Sequence, residues 1–217
     1  MRAGLHTARF ERWLADDGGS LRKGRLALVL LQIYALFWAT YIPINEFSVG
    51  RAAYRLSLPG EERLPFLPIF EYLYILTLFV PVLVFVTMRT FAQFLRLIRA
   101  LGIVLLVCYS TYLLFPVSLA RPRLEISSLH TWLLSLQYLD EPYNAFPSLH
   151  VTLSWLAVHA AQCSRRTRAG LILLATGISI STLFVKQHYV LDVISGYALA
   201  WGAWKLGGRG LTSRAFK

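Results

Sequence analysis

His188 and Asp192 stand four residues apart, a spacing that puts both side chains on one helical face. A carboxylate there can accept the Nδ1 proton of His188 and leave Nε2 bare and nucleophilic. That is the orienting role of the third member of a catalytic triad. A plain interfacial His–Asp pair has the same spacing, so the pair alone decides nothing. A second cluster is Asn144-Ala145-Phe146-Pro147-Ser148-Leu149-His150. Pro147 suits the first turn of a helix, where its missing N–H costs little. The amides of Ser148, Leu149 and His150 would then be free donors at a helix end, which the helix dipole makes an anion site. Simple capping beside a chance histidine fits this stretch as well. The third element is Arg121-Pro122-Arg123. Arg is the residue suited to bidentate phosphate recognition, although it also snorkels toward lipid headgroups. Lys186, two residues before His188, is a further cation.

These residues are set in a very apolar chain. It has 217 residues, 56% hydrophobic and only 15% charged, with a mean hydropathy of +0.53. Soluble domains have about 45–50% apolar and about 25% charged residues. The 14% aromatic content and the long apolar runs exclude disorder. With 14 Gly, 9 Pro and 2 Cys, collagen-like and disulfide-scaffold readings fail too. Cys108 and Cys163 both lie in apolar runs, without a CxxC signature. The net charge of +11 sits in short clusters between apolar runs. That is a membrane-topology pattern, not a nucleic-acid-binding face.

A spanning helix needs about 20 apolar residues. Six charge-poor intervals qualify: 26–45, 72–88, 100–120, 142–164, 169–185 and 187–204, the last broken only by Asp192. The expected fold is therefore all-α: a polytopic membrane protein with a six-transmembrane-helix bundle. Residues 1–25 would be a basic cytoplasmic segment, 26–206 the membrane catalytic domain and 207–217 a cytoplasmic tail. The first apolar run is too long for a signal-peptide core, so it would stay as an anchor. Before it, Phe10, Trp13 and Leu14 have helical spacing; a short interfacial helix and a frayed basic tail both fit. Pro65 and Pro68 argue against a continuous helix in the loop that precedes the second interval. In the last interval Gly196 and Ala200, four apart, allow close helix approach.

Six spans put both termini on one side, and that side would carry 16 of the 22 basic residues. The positive-inside rule makes it the cytoplasm. The loops near 46–70 and 121–146 and the turn near 186–188 then face outward. Topology thus gathers His150, His188, Asp192, Arg121, Arg123, Lys186 and a helix N-terminus on the extracytoplasmic side. A positive pocket with a nucleophile and a second His suits chemistry on a phosphate ester.

Pro147-Ser148-Leu149-His150 and the stretch from Ser181 to Asp192 resemble the second and third signature motifs of the type 2 phosphatidic acid phosphatase superfamily. Asn-Ala-Phe-Pro-Ser-Leu-His and Lys-Gln-His-Tyr-Val-Leu-Asp look closest to its branch of inositol phosphorylceramide synthases and their bacterial relatives. Leu64-Pro65-Phe66-Leu67-Pro68 is similar to that branch as well. The resemblance covers roughly 64–200. It implies a six-helix enzyme acting on lipid phosphates without a metal or other cofactor. By that resemblance His188 would attack phosphorus and form a phosphohistidine, with Asp192 orienting it. His150 would protonate the leaving alcohol and then activate the incoming one. Arg121 would hold phosphate oxygens.

The chain departs from the phosphatase motifs at three positions. Leu114 stands where the first motif has Lys, Leu149 where the second has Gly, and Thr182 where the third has Arg. Two cations are thus missing, which suits a diester, with one negative charge, better than a monoester with nearly two. The expected partners are a lipid phosphate or phosphodiester and membrane lipids, and not nucleic acid. Catalytic roles fall to His188, His150 and Asp192. Phosphate binding falls to Arg121, Ser148, Leu149, Lys186 and Arg123. The rival readings are a non-catalytic lipid-binding or transport protein and a zinc site on His150, His188 and Asp192. His159 is expected to be structural and His130 a loop residue. Tyr143, Asn144, Trp132 and Tyr189 are candidates to line a lipid pocket.

Overall fold

A computed structural model describes residues 2–16 and 19–209. The expected C-terminal tail lies, from residue 210, outside the described residues. Helices dominate. They are α1 (Arg2–Leu14), α2 (Lys23–Phe47), α3 (Glu71–Tyr74), α4 (Val80–Thr87), α5 (Phe91–Leu114), α6 (Leu129–Gln137), α7 (Leu149–Ala160), α8 (Arg165–Phe184) and α9 (Val190–Gly207). Three 3₁₀ turns join them, at Glu61–Arg63, Pro68–Phe70 and Ile75–Leu78. Among the described residues there is no strand, only isolated bridges. Among the described residues, four segments are long and apolar enough to cross a membrane: Lys23–Phe47, Pro68–Phe85, Phe91–Leu114 and Arg165–Phe184.

The charge-bounded intervals locate the helices but miss their ends. α5 begins nine residues before the expected run. Thr90 and Gln93 form a capping box there, and Arg96 lies inside the helix, its guanidinium bonded to the Trp204 carbonyl. The helix also stops early, at Leu114, because Pro116 cannot continue it. The interval 142–164 yields only the 12-residue α7. Its first third is irregular chain that wraps the site. Pro147 is therefore not in the first turn; it precedes the N-cap, Ser148, whose Oγ accepts from the Val151 amide. The second expected span is a broken helical segment, α3 through α4. α6 was not expected at all; its Ser128–Thr131 capping box starts it, so His130 is in a first helical turn and not in a loop. Residues before α2 adopt the helical alternative, α1, in which Leu14 is buried and Phe10 and Trp13 stay partly exposed.

α7 packs most extensively on α9 and α8, and α9 on α5. Small residues make this possible. Gly196 and Ala200 of α9 face the interior, Ala200 and Ala203 being fully enclosed. A Cβ at Gly196 would sit 2.8 Å from the Ser148 carbonyl oxygen and 3.1 Å from Val151 Cβ. A Cβ at Gly207 would meet the α5 backbone at 2.9 Å. Thr152 Oγ1 donates to the Ser148 carbonyl at 2.7 Å, with the Gly196 carbonyl 3.1 Å away across the α7–α9 contact.

This antiparallel packing sets the N-terminal ends of α7 and α9 beside the C-terminal ends of α5 and α8. The basic side chains of Lys23, Arg96 and Arg168 donate to backbone carbonyls at the other end. Gly196→Ala is expected to lower stability by about 1–3 kcal/mol through overpacking. Gly202→Ala, with nothing within 4 Å of its Cβ, is expected to be neutral or to add up to about 1 kcal/mol of helix propensity. Thermal unfolding of the two variants in detergent checks the contrast.

Candidate active site

The site is built where chain segments from four places converge. After α5 the chain runs extended. Val117 bridges both Tyr54 and Asn144, and the Leu119 amide donates to the Pro142 carbonyl at 2.9 Å. These links bring Arg121 and the 142–147 segment together. Tyr112, buried in α5, donates its hydroxyl to the Pro147 carbonyl at 2.8 Å. The turn after α8 is equally pinned. The amides of Gln187 and His188 both donate to the Thr182 carbonyl, at 2.9 and 3.2 Å. Lys186 takes φ +56°, the left-handed region that reverses the chain. Glu61 supplies a carboxylate cap to α9, its Oε1 accepting from the Val190 amide at 2.6 Å.

His150 and His188, 38 residues apart in sequence, meet ring to ring. His150 Nδ1 lies 3.1 Å from His188 Nε2. His188 is buried, and its Nδ1 lies 3.0 Å from the Ala145 carbonyl and 3.5 Å from Asp192 Oδ2. Both neighbours of Nδ1 are acceptors, so Nδ1 carries the proton and Nε2 the lone pair. The orienting bond is thus shared differently from expectation, with the backbone carbonyl the nearer acceptor. Asp192 is drawn back because Oδ2 also accepts the Tyr189 amide at 2.8 Å, at the first turn of α9. Asp192 is fully buried, and its Oδ1 has no hydrogen-bond partner.

Tyr74 is the residue that spacing did not reveal. Its hydroxyl lies 2.8 Å from His150 Nε2, and the ring is buried in α3. With Nδ1–H of His150 donating to His188, Nε2 accepts from Tyr74, giving a continuous chain Tyr74–His150–His188–Ala145. Tyr74 lies in an apolar interval where a buried aromatic is ordinary core, so no sequence signal distinguishes it. Glu71, one turn earlier, is fully buried with both carboxylate oxygens unpartnered.

Arg121 reaches the same cavity. NH1 donates to the Asp140 carbonyl at 2.6 Å, and NH2 to Asp140 Oδ1 and Gln187 Oε1, each at 2.8 Å. Its guanidinium lies 4.8 Å over the Tyr138 ring. Burial pushes the Tyr138 phenol above its ordinary pKa, so it remains a donor, here to the Val185 carbonyl. Arg121 Nε and both amide atoms of Asn144 are buried without partners. These residues and both histidines line a cavity of about 20 Å³, room for about one water. Tyr143 and Asn144 line this cavity; the other two lipid-pocket candidates, Tyr189 and Trp132, are outside its lining, Trp132 half exposed on α6.

Two expected phosphate ligands, Ser148 and Lys186, have other partners. Ser148 spends its amide on the Asp192 carbonyl at 3.2 Å and its Oγ on the α7 cap. The N-terminus of α7 is consequently tied to α9. Lys186 turns away and donates Nζ to the Leu64 carbonyl at 2.6 Å, because its left-handed backbone aims the side chain at that loop. Arg123 is exposed and outside the cavity lining. Leu149 is buried at the first position of α7. Among the described residues, no three His, Cys, Asp or Glu side chains form a metal-binding group. Asp192 lies on the Nδ1 side of His188 and His150 on its Nε2 side. His159 is half-buried in the last turn of α7, with Nε2 unpartnered.

The PAP2 superfamily model matches residues 61–206, and the chain belongs to that superfamily. No curated protein and no solved structure matches the chain. Superfamily membership and four helices of spanning length mark an integral membrane protein of phosphatase or phosphotransferase type. The matched region begins at Glu61, the cap of α9, and takes in every residue of the cavity except Tyr41.

Tyr74→Phe removes the donor at His150 Nε2. The expected loss is about 0.5–1.5 kcal/mol of stability, together with faster acylation of His150 by diethyl pyrocarbonate. Denaturation and peptide mass spectrometry measure the two. An unchanged modification rate would mean that Tyr74 does not hold the ring.

Proposed function

We propose that the chain cleaves a lipid phosphate ester through a phosphohistidine on His188 and passes the phosphoryl group to water or an alcohol. The observation that carries this reading is the His150–His188 contact, with the proton of His188 confined to Nδ1. In the first step the Nε2 lone pair attacks phosphorus. The P–O bond to the leaving alcohol breaks, and His150, which takes up a second proton when the anionic substrate separates the rings, gives that oxygen a proton and returns to the neutral ring. In the second step His150 takes a proton from water or the acceptor alcohol. The new oxygen attacks phosphorus, and the P–N bond breaks. Asp192 and the Ala145 carbonyl stabilise the ring as it becomes positively charged. Arg121 and Asn144 bind phosphate oxygens, their unpartnered donors being available for this.

At 3.1 Å the two rings leave no space for phosphorus between them. Substrate therefore separates them, and His150 turns its Nδ1–H from His188 to the leaving oxygen. The reading includes six membrane passes with both termini cytoplasmic and the site extracytoplasmic, supported by the basic residues at the far end of the bundle. It includes membership of the inositol phosphorylceramide synthase-like branch, supported by the 144–150 and 186–192 motifs. No step requires a metal.

The purified protein is expected to release phosphate or headgroup from at least one of a panel of lipid phosphates, with undiminished turnover in EDTA. His188→Ala abolishes turnover, and His150→Ala lowers it about 10²–10⁴-fold. Trapped enzyme should carry an acid-labile group on His188, phosphate from a monoester or phosphate still esterified to the retained alcohol from a diester, read by mass spectrometry. Wild-type-like turnover by His188→Ala overturns the mechanism. Added polyols or lipid alcohols decide between transfer and hydrolysis: product in excess of free phosphate means transferase.

A further inference from the structure

Asp140 was given no role by its position in the sequence, yet it is the nearest neighbour of the one cation in the cavity. It holds Arg121 twice, by carbonyl and by Oδ1, while Oδ2 accepts from the Tyr41 hydroxyl at 2.8 Å. The Arg121 side chain is 12% exposed and that of Asp140 31%. Among the described residues, Arg121 is the only Arg or Lys in the lining, whereas Asp140 and Glu141 both belong to it. Lys186 is turned to Leu64, and Arg123 is outside. The cavity thus carries no surplus of positive charge.

We infer that Asp140 is a fixed counter-charge that sets the charge of the phosphate accepted: a singly charged phosphodiester is admitted and a nearly doubly charged monoester is disfavoured. This rests on the phosphotransfer reading above. Two faces of the guanidinium are occupied by Asp140 and Gln187, and the buried Nε–H is left for the ligand. A phosphate bound there shares Arg121 with Asp140 and does not displace it. One negative oxygen on Nε–H and the Asn144 amide is compensated. A second charge would face the Asp140 carboxylate a few ångströms away, in a partly buried setting where screening is weak. The spare acceptor, Asn144 Oδ1, suits a hydroxyl on the headgroup or the acceptor.

The test uses the full chain in detergent, with native mass spectrometry of two lipids of equal acyl length. Phosphatidate is a monoester with a charge near −2, and phosphatidylglycerol a diester with −1. Binding that survives Arg121→Ala is subtracted as background. Wild type is expected to hold the diester at least tenfold more tightly. Asp140→Asn keeps an acceptor for Arg121 and is expected to narrow that ratio at least tenfold, while Asp140→Glu preserves it. A merely structural Asp140 would weaken both lipids alike and leave the ratio in place. The inference is overturned if wild type binds phosphatidate as tightly, or if a stably folded Asp140→Asn keeps the wild-type ratio. Retention of neither lipid by wild type overturns it together with the phosphotransfer reading. The expected ratio shift without turnover of any lipid supports it and counts against the catalytic reading alone.

Discussion

One proton decides the character of this site. His188 Nδ1 faces a backbone carbonyl and a carboxylate, two groups that only accept. The imidazole therefore has a single neutral tautomer, and its lone pair is aimed at His150. Every neighbouring feature serves that constraint. The Ala145 carbonyl is held in place by the Val117 bridge and by Tyr112 on Pro147. Asp192 is anchored through the Tyr189 amide. The His188 backbone is anchored through Thr182. A buried, half-satisfied polar cluster is costly unless its geometry is tightly held, and the fold holds it from four chain segments.

Close helix packing supplies that rigidity. Gly196 lets α9 approach the Ser148 carbonyl, and the Ser148 amide in turn bonds the Asp192 carbonyl. The same contact that joins α7 to α9 sets the separation of their first turns, and so of His150 and His188. Packing and chemistry are here one interaction. The ligand-free site is closed on itself. The proposed nucleophile faces His150, the cation faces Asp140, and the remaining cavity is about 20 Å³. The unsatisfied atoms at Arg121 Nε and Asn144 are what a bound phosphate would complete.

Reading the chain residue by residue found the parts that depend on local pattern. The His–x₃–Asp spacing, the Asn144–His150 motif and Arg121 all converge on one cavity. The apolar intervals found most of the long helices. Charge does not mark the helix boundaries, because Arg96 and Arg165 to Arg168 lie within helices at their polar ends. They also failed at 142–147, an apolar stretch whose backbone is irregular. A helix-end amide makes Ser148 a phosphate ligand in the sequence, and a positive charge beside His188 does the same for Lys186. Backbone geometry gave one to Leu64 and the other to helix capping.

What the chain itself determined was its solvent and its chemistry. An apolar composition with clustered positive charge demands helices in a bilayer, where backbone groups must be satisfied internally. Two His, an Asp and an Arg at motif spacing are the residues on which the proposed chemistry rests. Only the tertiary structure chose which atoms touch. Tyr74 on His150, the Ala145 carbonyl on His188 and Asp140 on Arg121 join residues 76, 43 and 19 positions apart. Such pairings arise from how helix ends stack, and no local periodicity encodes them. Two of the three involve residue types, Tyr and Ala, whose presence in an apolar run is ordinary.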